Sequence, residues 1–351
     1  EKMAVATLTL TGMAVGVYAA KTGTGVAGRY IEARLGKPSL VRETSKQTLP
    51  DVLKNPLPFM RRVFGLHKAS GALDGVILEP KLEKRLSRVT QSTFNTKKNK
   101  APFRHLLLYG PPGTGKTLFA KGLAKHSGLE YAIMTGGDIA PLGRDAVTEM
   151  HKLFDWAHTS NKGLLLFVDE ADAFLRRRST EKISEDLRNA LNAFLYRTGE
   201  TTDKFMLVYA SNQPEQFDWA VNDRIDEMVA FDLPGLDERA RMISLYIKKY
   251  LRTRTGRAKS ISMESIDESH AMLVAEKTDG FSGREIAKLA IAWQAAAYGT
   301  KGSVFSSDLM FEVLDDHLAQ KKQKQKWAKD ATAVVPKISR EQIQKLVEGN
   351  S

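Results

Sequence analysis

No cysteine occurs in the 351 residues, so disulfides, thiolate metal sites and thiol nucleophiles are all excluded. Acidic charge is also in deficit: 41 Asp and Glu face 53 Lys and Arg, leaving a formal net charge of +12. That balance favours acidic partners such as nucleotide, nucleic acid or anionic lipid, and it equally serves plain solubility. No internal repeat is visible, which removes solenoids and arrays. No methionine opens the chain at Glu1, so an upstream region is expected. What remains is ordinary globular composition, 42% hydrophobic and 27% charged, in a length that suits one large domain or two moderate ones.

The run from Met3 to Ala20 carries no charge. As a helix it would measure about 27 Å, close to the roughly 30 Å of a bilayer's hydrocarbon core, so it reads as one membrane span. A buried soluble helix or the core of a signal peptide would have a similar composition. Gly12, Gly16 and Ala20 would give the helix a face of small residues on which two copies could approach closely. Lys21, Arg29, Arg34, Lys37 and Arg42 crowd its C-terminal flank, and by the positive-inside rule the rest of the chain faces the ATP-containing side. The expected division is residues 1–28 for span and flank, then a linker over 29–68 broken by Pro50, Pro56 and Pro58. Residues 69–234 follow as a nucleotide-binding α/β part, 235–320 as a helical lobe and 321–351 as a basic tail.

From His105 onward strand and helix signals alternate. His105–Tyr109, Tyr131–Thr135, Leu164–Asp169, Phe205–Ser211 and Met228–Phe231 read as strands, and several are apolar on both faces, as a doubly covered parallel sheet requires. The predicted fold is therefore α/β, a P-loop NTPase with a five-stranded parallel sheet flanked by helices. A small all-helical lid follows it, and a membrane helix precedes it.

The chemistry concentrates in Gly110-Pro111-Pro112-Gly113-Thr114-Gly115-Lys116-Thr117, which satisfies G-x-x-x-x-G-K-T between a strand and a helix. Such a loop turns backbone N–H groups toward phosphates, with Lys116 reaching the β and γ oxygens and Thr117 ligating Mg²⁺. Leu118, next in the helix, is grouped with the ATP-binding residues. The strand Leu164–Val168 ends in Asp169-Glu170, two carboxylates that suit two tasks: Asp169 to hold Mg²⁺, Glu170 to polarise the attacking water.

These residues resemble the AAA family of ATPases over about Leu73 to Gln320. The resemblance implies that Asn212 at the end of the fourth strand is a sensor near the γ-phosphate. Arg224, within Asp223-Arg224-Ile225-Asp226, matches an arginine finger entering the neighbouring subunit's site, and Arg284 matches a second sensor over the phosphates. Val76 and Ile77 fall where family members pocket adenine. Two departures stand out: Val221 occupies a position where many members carry another arginine, and Ile139-Ala140-Pro141-Leu142-Gly143 has no aromatic where many carry one in a central-pore loop.

The whole set, from the N-terminal span to ASNQPEQFDWAVNDRIDEM, is most similar to a branch of that family held in the inner mitochondrial membrane with its ATPase part in the matrix. That resemblance implies a ring oligomer, taken as a hexamer. It also implies protein clients, association with the mitochondrial nucleoid and remodelling of inner-membrane or nucleoid assemblies. Two other readings compete. One is a non-hydrolysing ATP-bound scaffold, and the other is a nucleic-acid helicase, because Asp169-Glu170-Ala171-Asp172 spells a DEAD signature.

Overall fold

The computed structural model describes residues 37–46, 77–177, 184–252, 261–264 and 266–333. Within them the chain divides into two compact units meeting at Asp232 and Leu233, and each is described by itself.

The first unit runs β1 (Glu43–Thr44), α1 (Pro80–Lys98), β2 (Leu106–Tyr109), α2 (Lys116–Ser127), β3 (Glu130–Thr135), α3 (Ala146–His158), β4 (Leu164–Asp169), α4 (Glu185–Arg197), β5 (Phe205–Ser211), the one-turn α5 (Trp219–Asn222) and β6 (Glu227–Ala230). Its sheet has the order β1-β3-β4-β5-β2-β6. Strand residues alternate between two cores. Leu164, Leu166 and Val168 of β4 and Phe205, Leu207 and Tyr209 of β5 face Met150, Phe154, Leu191 and Phe194 of α3 and α4. Leu165 and Phe167, with Met206, Val208 and Ala210, face Leu86 and Val89 of α1 and Phe119 and Leu123 of α2. A sheet covered on both faces needs such continuous apolar runs, and each large side chain fully buried contributes about 1.5–3 kcal/mol.

The five strands β2 to β6 pair in parallel, as the apolar runs predict, but the sheet has six strands. β1 lies antiparallel on the outer edge of β3, with the Arg42 N–H donating to the Ile133 carbonyl at 2.8 Å and the Ser45 N–H to the Tyr131 carbonyl at 2.9 Å. Edge groups of β3 require partners, and this short polar segment supplies them. Leu40 and Val41 just before it are buried in the core shared with α3. Residues 37–46, within the stretch read as linker, are therefore packed on the sheet.

The second unit comprises α6 (Leu236–Ile247) continued by one π-helical turn (Lys248–Arg252), β7 (Ser262–Glu264), α7 (Glu268–Lys277), α8 (Gly283–Gly299), β8 (Val304–Ser306) and α9 (Ser307–Ala333). It is not all-helical: β7 and β8 form a parallel two-stranded ladder, too short to leave a periodic signal. The Trp293 and Phe305 rings pack at a tilt in its core, and the Trp293 indole donates to the Met310 carbonyl at 3.0 Å. The basic run after Gln320 continues α9, and its first lysine, Lys321, is tied to the Gly280 carbonyl at 2.5 Å.

The span expected over Met3–Ala20 lies outside the described residues. Among the described residues no helix is long and apolar enough to cross a membrane.

Candidate functional site

The carboxyl ends of four strands align at one edge of the sheet: Tyr109 is opposite Ser211, Val168 opposite Tyr209, and Thr135 opposite Asp169. β2 sits between β5 and β6, so the loop leaving it opens at the kind of topological switch where open α/β sheets bind ligands.

That loop is Gly110–Gly115. A Cβ at Gly110, where φ is +135°, would lie 2.2 Å from the Phe231 carbonyl oxygen, so only glycine lets β2 turn away this close to the end of β6. The Thr114 hydroxyl donates to the Pro111 carbonyl at 3.0 Å and tightens the turn. Pro111 and Pro112 are exposed at the loop tip, and Gly113 and Gly115 also have positive φ. Gly115 caps α2 in the left-handed conformation without any side chain on the first-turn N–H groups. A helix start of this form is a ready anion cradle.

Lys116 is buried beneath the loop, where its ammonium donates to the carbonyls of Gly110 (2.6 Å) and Pro111 (2.8 Å) and to Asn212 Oδ1 (3.0 Å). The fold thus places Asn212 within one hydrogen bond of the loop lysine. The Thr117 hydroxyl donates to Asp169 Oδ2 at 3.2 Å, and Asp169 Oδ1 accepts from the Glu170 N–H at 3.0 Å. Glu170 is exposed and left-handed (φ 48°, ψ 45°), a backbone state that costs a non-glycine residue about 1–3 kcal/mol and recurs where function demands it. Leu118, in the first turn of α2, is 57% exposed.

Several supporting groups carried no motif signal. The Ser211 hydroxyl donates to Asp172 Oδ1 at 2.6 Å and accepts from the Gln213 N–H at 2.9 Å, while the Ser211 carbonyl accepts from the Gly110 N–H at 3.2 Å. The ends of β2 and β5 and the turn after β4 are thereby locked together. A Cβ on Gly136 would lie 2.5 Å from the Glu170 carbonyl oxygen, so the turn after β3 backs directly onto Glu170.

Arg224 stands apart from this cluster. It precedes β6, whose first residue Glu227 pairs with Leu106 at the start of β2, so it lies at the amino edge of the sheet. A strand of this length advances roughly 13 Å at about 3.3 Å per residue, which separates that edge from the phosphate loop. Its Nη1 donates to the Ala220 carbonyl at 2.5 Å, and its Nε is buried with no hydrogen-bond partner among the described residues. Val221 is fully buried in the core, where an arginine head could not be solvated. In the stretch read as a pore loop, Ile139 is buried, Leu142 packs on the core and Pro141 is exposed on a 3₁₀ turn.

Arg284 belongs to the second unit, exposed in the first turn of α8. Ser282 and Glu285 close that helix start with a reciprocal capping box. Ile77 is half-buried ahead of α1, and Val76 lies outside the described residues.

Two family models match: "ATPase family associated with various cellular activities (AAA)" over residues 106–233, and "ATPase family AAA domain-containing protein 3, N-terminal" over residues 1–42. The chain is 56% identical over 352 residues to ATPase family AAA domain-containing protein 3-B of Xenopus laevis, covering 99% of this chain and 59% of that protein. To ATPase family AAA domain-containing protein 3A of Homo sapiens it is 57% identical over 94% of this chain and 56% of that protein. The Drosophila melanogaster 3A homolog is 54% identical over 94% of this chain and 55% of that protein. The chain thus spans less than two-thirds of the length of each relative. Among solved structures, the FIGL-1 AAA domain in complex with ADP superposes with a TM-score of 0.56 at 18% identity, covering 79% of this chain and 88% of that one, a likeness of fold. With the phosphate loop and its strand-end carboxylates in place on that fold, these likenesses put the chain in the family of ATPase family AAA domain-containing protein 3, a branch of the AAA ATPases.

Proposed function

We propose that the chain binds Mg-ATP at the Gly110–Thr117 loop and hydrolyses it in a site completed by Arg224 of an adjoining subunit. The observation that carries this reading is a division across the sheet: Lys116, Thr117, Asp169, Glu170 and Asn212 gather at the carboxyl edge, and Arg224 sits at the amino edge. A cation at that distance serves a neighbour's phosphate more readily than its own.

The donor set fits Mg²⁺. Thr117 and Asp169 bring two hard oxygens within 3.2 Å of each other, and no cluster of three or more His, Cys, Asp or Glu capable of caging a metal occurs among the described residues. One hydroxyl and one carboxylate, with phosphate and water completing the shell, is a usual magnesium arrangement. The ion would neutralise charge on the β and γ oxygens. Lys116 would leave the Gly110 and Pro111 carbonyls to meet the same oxygens, and Glu170, held at the strand end, would take the proton of the attacking water. Asn212 would orient that water beside the lysine. By the family resemblance Arg284 would act on the phosphates, and Leu118, Val76 and Ile77 would enclose the base.

In the wider reading, subunits assemble into a ring, with a hexamer as the working number. The Met3–Ala20 segment anchors the chain in the inner mitochondrial membrane, the ATPase part faces the matrix, and turnover remodels protein clients or membrane- and nucleoid-associated assemblies. The motifs, the basic flank of that segment and the likeness to relatives of the same family support this reading.

The test uses three variants, two of which are then co-assembled. Lys116→Ala should lose ATP affinity, Glu170→Gln should bind ATP without turnover, and Arg224→Ala should bind ATP with turnover lowered by roughly 10³-fold or more, the scale of a lost arginine finger. Co-assembly of Lys116→Ala with Arg224→Ala subunits should restore part of the phosphate release. A verified mixed assembly as inactive as either parent would refute a finger acting in trans.

A further inference from the structure

Residues 37–46 do more than cover the sheet edge. The Arg42 guanidinium makes a two-pronged pair with Asp138, Nε to Oδ2 at 2.6 Å and Nη2 to Oδ1 at 2.5 Å, while the Arg42 backbone N–H is held by the Ile133 carbonyl. Asp138 closes the Gly136–Asp138 turn after β3. Gly136 in that turn is the residue whose missing Cβ lets it touch the Glu170 carbonyl, and the same carbonyl accepts the Ala173 N–H at 2.9 Å. Contacts therefore run unbroken from Arg42 through Asp138 and Gly136 to the backbone of Glu170.

Arg42 is largely solvent-accessible and Asp138 partly so, with side chains 60% and 30% exposed, and a pair this open to water adds little to stability. Its geometry is nevertheless the fork-on-carboxylate kind that fixes orientation. Asp138 is the main reason the guanidinium is held above its ordinary pKa, and Glu170 and Asp169 add smaller contributions in the same direction. The cation thus lies within electrostatic reach of the site carboxylates. It also sits at the last residue matched by the N-terminal family model, where the preceding segment joins the ATPase fold.

We infer that Arg42 is a positioning residue for Glu170: its clamp on Asp138 sets the turn that fixes the Glu170 backbone, and so ties the N-terminal segment to the hydrolytic step. The inference rests on the hydrolysis reading above, with Glu170 as the group that handles the water.

The experiment measures steady-state ATP turnover, ATP affinity and the thermal midpoint on the full chain. Wild type and Glu170→Gln serve as references; a wild type without turnover would overturn the hydrolysis reading and this proposal together. With wild-type turnover established, Arg42→Ala should lower kcat by about 10- to 100-fold, the scale of a displacement near 1 Å at a reacting group. ATP affinity and thermal midpoint should stay near wild type. Arg42→Lys, which keeps the charge but not the fork, should fall between. Asp138→Arg alone should resemble Arg42→Ala, and the reversed pair Arg42→Asp with Asp138→Arg should recover most of kcat. The proposal is overturned if Arg42→Ala retains kcat within about twofold, if affinity and thermal midpoint fall along with kcat, or if the reversed pair recovers nothing while remaining folded.

Discussion

Replacing Asn212 by aspartate exchanges one heavy atom and adds a negative charge to the phosphate site. The Asn212 Oδ1 stands 3.0 Å from the Lys116 ammonium, as a neutral acceptor that releases the lysine easily. A carboxylate there turns a bond that only the ammonium charges into a full ion pair, which holds the lysine roughly 1 kcal/mol more tightly when it must leave for a phosphate. Once the lysine has moved, the new charge faces the nucleotide. At about 5 Å and an effective dielectric of 20 it repels one unit of terminal phosphate charge by about 3 kcal/mol, and at about 8 Å, a reasonable distance for the end of ADP, by about 2 kcal/mol. Asn212→Asp should weaken both nucleotides and penalise ATP about tenfold more than ADP, since 1.4 kcal/mol is a factor of ten. Titration calorimetry with ATP and ADP in the Glu170→Gln background, where ATP persists, gives both constants. Equal losses for the two nucleotides would show that Asn212 does not face the terminal phosphate and would refute the assignment.

Glu170→Gly should abolish turnover while raising stability by about 1 kcal/mol, because glycine relieves the left-handed strain but brings its own chain entropy; a lower thermal midpoint would show that this backbone is held without strain. His105, buried just before β2, accepts the Leu207 N–H on Nδ1 at 3.2 Å, and burial depresses its pKa despite the opposing pull of Asp226. The unfolded chain then binds the extra proton first, so this stability contribution is full above the unfolded value near 6.5 and is lost as pH falls below it. His105→Gln should flatten the decline in thermal midpoint between pH 7 and 5.5, and an unchanged slope would assign the decline elsewhere.

The β4 and β5 strands were legible to the residue because both their faces are buried, leaving unbroken apolar runs with turn residues at each end. The phosphate loop was legible because its chemistry is contiguous in sequence. β1 and the β7–β8 ladder were not, since two- and three-residue strands carry no period and Glu43–Thr44 has the composition of a loop. The brace of Ser211 on Asp172 and the clamp of Arg42 on Asp138 join residues far apart in the chain, and only the strand order brings them together. Val221 reads in sequence as a missing arginine; in the fold it is a core residue, which explains why no charge stands there.

On the function proposed above, Arg224 and the phosphate loop at opposite ends of the same strands would give each subunit a donor end and an acceptor end. Contacts built from two different patches are heterologous, and copies joined in this way stack head to tail, closing into a circle when the rotation between them divides evenly and otherwise extending as a filament. A two-fold dimer, which pairs like with like, would bring finger to finger and leave both pockets open. One defective copy in such an array would silence a single junction: losing the donor end would disable the neighbour's pocket, and losing the acceptor end would disable its own.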